Sequence, residues 1–204
     1  MSQYSGVRGY NGLLLRVDGR LRVSTVTAVE RPLVGPLVFE AADGTTHSVV
    51  FKGLADRIDT LDDGRIRIVD YKTGRPHSDF ASVEALFGSV ADQRNDAVLQ
   101  TLLYSYIVRY MQRQGELPGV EVCPTLYYVR MMYTADYAPL INIKNGASVT
   151  SYGPHAECFE ARLRELLADL FDPARPFLQC EDRKPCEYCD FTAICRRQQS
   201  NRQK

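Results

Sequence analysis

The sequence lacks an excess of charge of either sign: 25 lysines and arginines stand against 25 aspartates and glutamates. A stand-alone, nonspecific nucleic-acid binder needs a basic surplus to neutralise phosphates, so that class is disfavoured. The chain also lacks any apolar run near the ~20 residues that a membrane span requires, and its first residues lack the basic-then-apolar layout of a secretory leader. The expected location is the cytoplasm, with no membrane partner. There is no phosphate loop of the ATPase type, no Gly-X-Ser-X-Gly elbow and no His-Glu-X-X-His, which removes ATP hydrolysis and two hydrolase mechanisms. Histidine is scarce, with His47, His77 and His155 only. His47 reads as an ordinary strand or turn residue, and the other two begin polar stretches. Internal repeats and low-complexity tracts are absent.

What is present suits a globular enzyme. At 204 residues and 45% hydrophobic, the chain can bury a substantial core as one domain, or one domain with a small appendage. Residues 1–21 show little pattern and read as an irregular segment at a fragment boundary. Strands are expected over 22–30, 36–40, 48–59, 65–71, 120–130 and 137–143, with Pro124 marking an edge or a bulge. Helices are expected over 96–114, capped by Asn95 or Asp96, and over 155–171. The fold class is α/β: a central mixed sheet flanked by helices. The core would span 22–172, followed by a Cys-bearing tail over 173–204.

The densest chemistry lies in Gly53-Leu54-Ala55-Asp56-Arg57-Ile58-Asp59 and Ile68-Val69-Asp70-Tyr71-Lys72-Thr73-Gly74, joined by Asp62-Asp63-Gly64. Alternation along a strand places Asp70 and Lys72 on one face and turns Tyr71 away. A two-residue Asp63-Gly64 turn would pair Asp70 with position 57. A three-residue loop centred on Asp63, with Gly64 left-handed, sets Asp56 opposite Asp70. The chemistry needs the second register. Two carboxylates then hold a hard divalent cation, Mg²⁺ or Mn²⁺, and Lys72 sits beside an attacked phosphate. A surface Asp–Lys pair on a hairpin is the bland alternative. The apolar neighbours Ile66, Ile68 and Val69 argue against it, because an unpaired Asp at a half-buried strand end is costly. Gln100 and Tyr104, four residues apart, share a helix face; alone they read as an exposed Gln and a buried Tyr.

Cys186-X2-Cys189-X5-Cys195 has the spacing of metal ligands, with Cys180 as the nearest fourth and Cys123 and Cys158 more remote. Free thiols on a C-terminal cap are the alternative.

Taken together these motifs resemble the RecB-like branch of the PD-(D/E)XK nuclease superfamily, closest to the C-terminal nuclease domains of AddB-type helicase–nucleases. The resemblance runs over about residues 22–197 and implies a restriction-endonuclease-like core. It implies that Asp56 and Asp70 are metal ligands, with the Tyr71 carbonyl completing the set. Lys72 becomes the catalytic lysine, and Gln100 and Tyr104 its support. It implies a four-iron cluster on Cys186, Cys189, Cys195 and a fourth cysteine, incomplete or absent in a fragment. The implied substrate is DNA, cleaved more by exonuclease than endonuclease action during double-strand-break repair and recombination. The implied partners are a helicase region of the same parent chain and a helicase–nuclease partner subunit. Two family features are not visible: an upstream helix bearing a His or Glu, and a cluster cysteine upstream of the core. The alternatives are a stand-alone exonuclease of the CRISPR-adaptation type and a catalytically silent DNA-binding or scaffolding domain. The intact Asp56, Asp70 and Lys72 argue against the silent domain.

Overall fold

Two Xaa-Asp-Gly loops set the sheet's register. Strand β1 (Val23–Glu40) turns through Ala42-Asp43-Gly44 into β2 (Thr46–Leu61), and β2 turns through Asp62-Asp63-Gly64 into β3 (Ile66–Lys72). In this computed structural model each glycine is left-handed, with φ of 79° at Gly44 and 83° at Gly64. Each glycine N–H reaches the carbonyl three residues back, Ala41 or Leu61, at 2.9 Å. The middle aspartate accepts the N–H two residues on, from Thr45 or Arg65. This is the three-residue loop that the chemistry required. It gives the pairs Arg57↔Val69, Ile58↔Ile68 and Asp59↔Arg67. One pair further, Asp56 faces Asp70. The described residues are 23–88, 94–135, 137–144, 146, 148–179, 181 and 183–197. The expected segment 1–21 and Cys180 lie outside them.

The two strands expected over 22–30 and 36–40 are one strand, β1, which pairs with β2 along its length and absorbs two register shifts near its start. Pro32 and Pro36 are tolerated because β1 is an edge, where a missing N–H costs no ladder bond. The principal sheet runs β1-β2-β3-β5, with β5 (Val122–Tyr128) parallel to β3 and the other pairs antiparallel. Pro124 lies in this second edge strand, as expected. A smaller sheet joins β4 (Asp79–Phe80), β6 (Ile141–Ile143) and β7 (Ser148–Val149). Only the last three residues of the strand expected over 137–143 are extended.

Helix α1 (Asp96–Arg113) is the crossover between β3 and β5. Asn95 starts it by accepting the Val98 N–H at 3.1 Å. The buried Thr101 and Ser105 hydroxyls donate to the carbonyls four residues back, at 2.8 and 3.0 Å. Gly115, with φ 78°, ends the helix in a Schellman motif: its N–H bonds the Gln112 carbonyl and the Glu116 N–H bonds that of Met111, both at 3.0 Å. Val98, Leu102 and Ile107 pack with Ile58, Ile66 and Ile68 of the sheet to form the main core. Helix α2 (Gly153–Leu170) seals it, with the Phe159 ring tilted against that of Phe87, centroids 5.4 Å apart. The result is an α/β fold of mixed sheets flanked by two helices, as expected. No helix among the described residues is long and apolar enough to cross a membrane.

Candidate active site

Continuing the β2–β3 register one pair past Arg57↔Val69 sets Asp56 opposite Asp70, in the non-hydrogen-bonded phase in which antiparallel side chains come closest. Asp56 Oδ2 accepts the Tyr71 N–H at 2.7 Å. This bond replaces a ladder bond at the point where β2 and β3 part, and it points the carboxylate at the end of β3. Asp70 is 4% exposed. Its Oδ2 lies 2.8 Å from Lys72 Nζ but makes no aligned hydrogen bond among the described residues. Burial raises the Asp70 pKa, Lys72 opposes the rise, and the neighbouring Asp56 charge adds to it. Asp56 is thus close enough for its charge to act on Asp70.

Lys72 forks. Besides Asp70 it donates to Gln100 Oε1 at 2.7 Å. An ammonium offers donors only, so the Gln100 amide must turn its oxygen to Lys72. Its Nε2 then donates to the Tyr104 hydroxyl at 2.7 Å. The helix pair is therefore joined through Lys72 to Asp70. Tyr104 in turn explains Gly53. A Cβ at Gly53 would stand 2.5 Å from Tyr104 Cε1, closer than any real contact. Gly53→Ala is expected to displace Tyr104, destabilise the fold by about 1–3 kcal/mol as overpacking does, and loosen Gln100 from Lys72. Denaturant melts measure this; a wild-type midpoint would contradict it.

The raised Asp70 pKa carries a stability consequence. Above its folded pKa the ionised carboxylate costs folding energy; below the ordinary carboxylate pKa, about 3.9, it is neutral in both states and costs nothing. Asp70→Asn should therefore raise the metal-free Tm at pH 7, with the gain fading as pH falls through and below that range. A lower Tm than wild type at pH 7 would contradict the assignment.

Tyr71 points away from Asp70 and Lys72, as alternation requires, and enters a second network that sequence reasoning missed. Its hydroxyl accepts from Arg57 Nη1 at 3.0 Å. Arg57, Asp59 and Arg67 are 6%, 0% and 2% exposed. Asp59 Oδ2 accepts from Arg57 at 2.9 Å and from Arg67 at 2.9 and 2.6 Å. Both guanidinium groups sit 5.7 Å from the Tyr127 ring centroid. The signal lay in the register: the pairing that opposes Asp56 to Asp70 also opposes Asp59 to Arg67. Glu30, framed by Arg31↔Ala55 and Val29↔Arg57 and so alongside Asp56, has φ 47°, a left-handed conformation that is costly for this residue type.

The tail is different. Among the described residues no three His, Cys, Asp or Glu side chains group so as to hold a metal. Cys186, Cys189 and Cys195 are free thiols with separate neighbours: the Arg197 guanidinium lies 3.7 Å from Cys186 Sγ, and the Phe191 N–H lies 3.4 Å from Cys189 Sγ. Cys123 is buried in β5, and Cys158 donates to Glu84.

The family model of the PD-(D/E)XK nuclease superfamily matches residues 7–196. The match begins further upstream than the resemblance read from the motifs. No curated protein matches the chain.

Proposed function

The chain belongs to the PD-(D/E)XK nuclease superfamily, and on that premise we propose that it is a metal-dependent deoxyribonuclease centred on Asp56, Asp70 and Lys72. The observation that carries this is the Lys72 ammonium, held between Asp70 and Gln100 beside a pair of opposed carboxylates.

The donor set fits a hard divalent cation. Asp70 Oδ2 is buried without an aligned hydrogen bond, Asp56 uses one oxygen for Tyr71, and the Asp56 charge adds to the cost of ionising Asp70. Asp56, Asp70 and the Tyr71 carbonyl, which leaves β3 by the same edge as the Tyr71 N–H, would hold Mg²⁺ or Mn²⁺. Such an ion acidifies a bound water and offsets phosphate charge. Lys72 donates toward the phosphate or the incoming water, where charge develops. Gln100 and Tyr104 restrict that ammonium to one direction, and Gly53 lets Tyr104 approach. Among the described residues the tail thiols do not group as a metal site, and Cys180, the expected fourth ligand, lies outside those residues.

The order of the motifs supports a RecB-like, AddB-type exonuclease acting in the cytoplasm in double-strand-break repair. In that reading strand separation would come from a helicase region of the same parent chain or from a partner helicase–nuclease subunit. Incubation with linear and covalently closed circular duplex, in Mg²⁺ or EDTA, tests this. Metal-dependent loss of the linear form alone is expected. Equal nicking of circles would make it an endonuclease, and no cleavage of either would make it a binding domain.

A further inference from the structure

We infer that the segment Thr73–Ser78, directly after Lys72, is a preformed seat for the phosphodiester backbone, with Arg75 as its phosphate contact. The inference rests on the nuclease reading above.

The segment reads Thr-Gly-Arg-Pro-His-Ser, with no acidic residue. Thr73 to His77 are exposed, and Pro76 fixes one φ. Two of its carbonyls turn inward: that of Ser78 accepts the Asn142 N–H at 3.0 Å, and that of His77 is clamped twice. The Tyr128 hydroxyl donates to it, and Asn95 Nδ2 donates to it at 2.8 Å. Asn95, itself 3% exposed, also donates to the Asp79 carbonyl at 3.1 Å and caps α1.

Both clamps belong to elements that also hold Lys72. Tyr128 pairs with Lys72 in the β3–β5 register, and α1 carries Gln100. The loop's position is therefore tied to the lysine. Two buried donors spent on one carbonyl of an exposed polar loop pre-order it, which removes an entropic cost from binding. What the ordered loop presents is Arg75, which makes no side-chain hydrogen bond or ion pair among the described residues. A guanidinium fork matches a phosphate's oxygens, and such a contact positions a strand without reading its bases.

The test is equilibrium binding of the full chain to a fluorescein-labelled duplex in Ca²⁺, between about 50 and 200 mM salt, with steady-state cleavage in Mg²⁺ alongside. Arg75→Ala should lower the slope of log affinity against log salt by about 0.9, to the same degree on unrelated sequences. It should also raise KM with little change in kcat. Arg75→Lys should restore the slope. If the wild type cleaves but Arg75→Ala keeps the wild-type slope, the loop assignment fails and the nuclease reading stands. If the wild type neither binds nor cleaves, both fail.

Discussion

Lys72→Ala is expected to cut metal-dependent DNA cleavage by at least about 10²–10³-fold, the usual effect of removing one donor aimed at developing charge. The other side chains of the site cannot replace it, because Gln100 turns its oxygen rather than its amide nitrogen toward the position of Nζ. Stability should fall only by about 1–2 kcal/mol, the scale of one hydrogen bond to a charged group, or a few degrees of Tm for a chain of this size. The loss that does occur is traceable to Asp70, which loses the ammonium 2.8 Å away. Single-turnover cleavage and thermal melts on the same preparation separate the two effects. Cleavage within a few-fold of wild type would remove Lys72 from the mechanism.

Asp59→Ala should be the most destabilising single change, at about 3–5 kcal/mol. Asp59 is fully buried, and one of its oxygens accepts three guanidinium N–H groups from Arg57 and Arg67. Removing it leaves two cations facing each other over the Tyr127 ring, inside the β2–β3 pair whose register opposes Asp56 to Asp70. The urea midpoint should drop strongly with an unchanged slope. A loss under about 1 kcal/mol would mean that the network is dispensable to the fold.

The register of that pair could be read from two residues, Gly64 as the left-handed position and the need for Asp56 to meet Asp70. The face shared by Asp70 and Lys72, and the helix face shared by Gln100 and Tyr104, followed from period alone. The Arg57–Asp59–Arg67 network did not. Its charges alternate with Ile58 and Ile68 and so look like a solvent face; what buries them is Tyr127, some sixty residues on in β5. The continuity of β1 was hidden by Pro32 and Pro36, which break strands everywhere but at an edge. Asn95 was legible as a cap and not as a clamp, since its other partners are backbone carbonyls at His77 and Asp79. The cysteine spacing carried no information on whether the thiols meet.

If opposed carboxylates on β2 and β3 hold the ion, DNA cleavage depends on both the divalent cation and Asp70. Cleavage of an end-labelled linear duplex by wild type and Asp70→Asn, in Mg²⁺ and in EDTA, tests it most directly. The substitution keeps the shape of Asp70 and is expected to stabilise the metal-free fold at neutral pH, so lost activity is not lost structure. Product is expected from wild type in Mg²⁺ only, and none from a fully folded Asp70→Asn. Product from wild type in EDTA, or from Asp70→Asn at the wild-type rate, would contradict it.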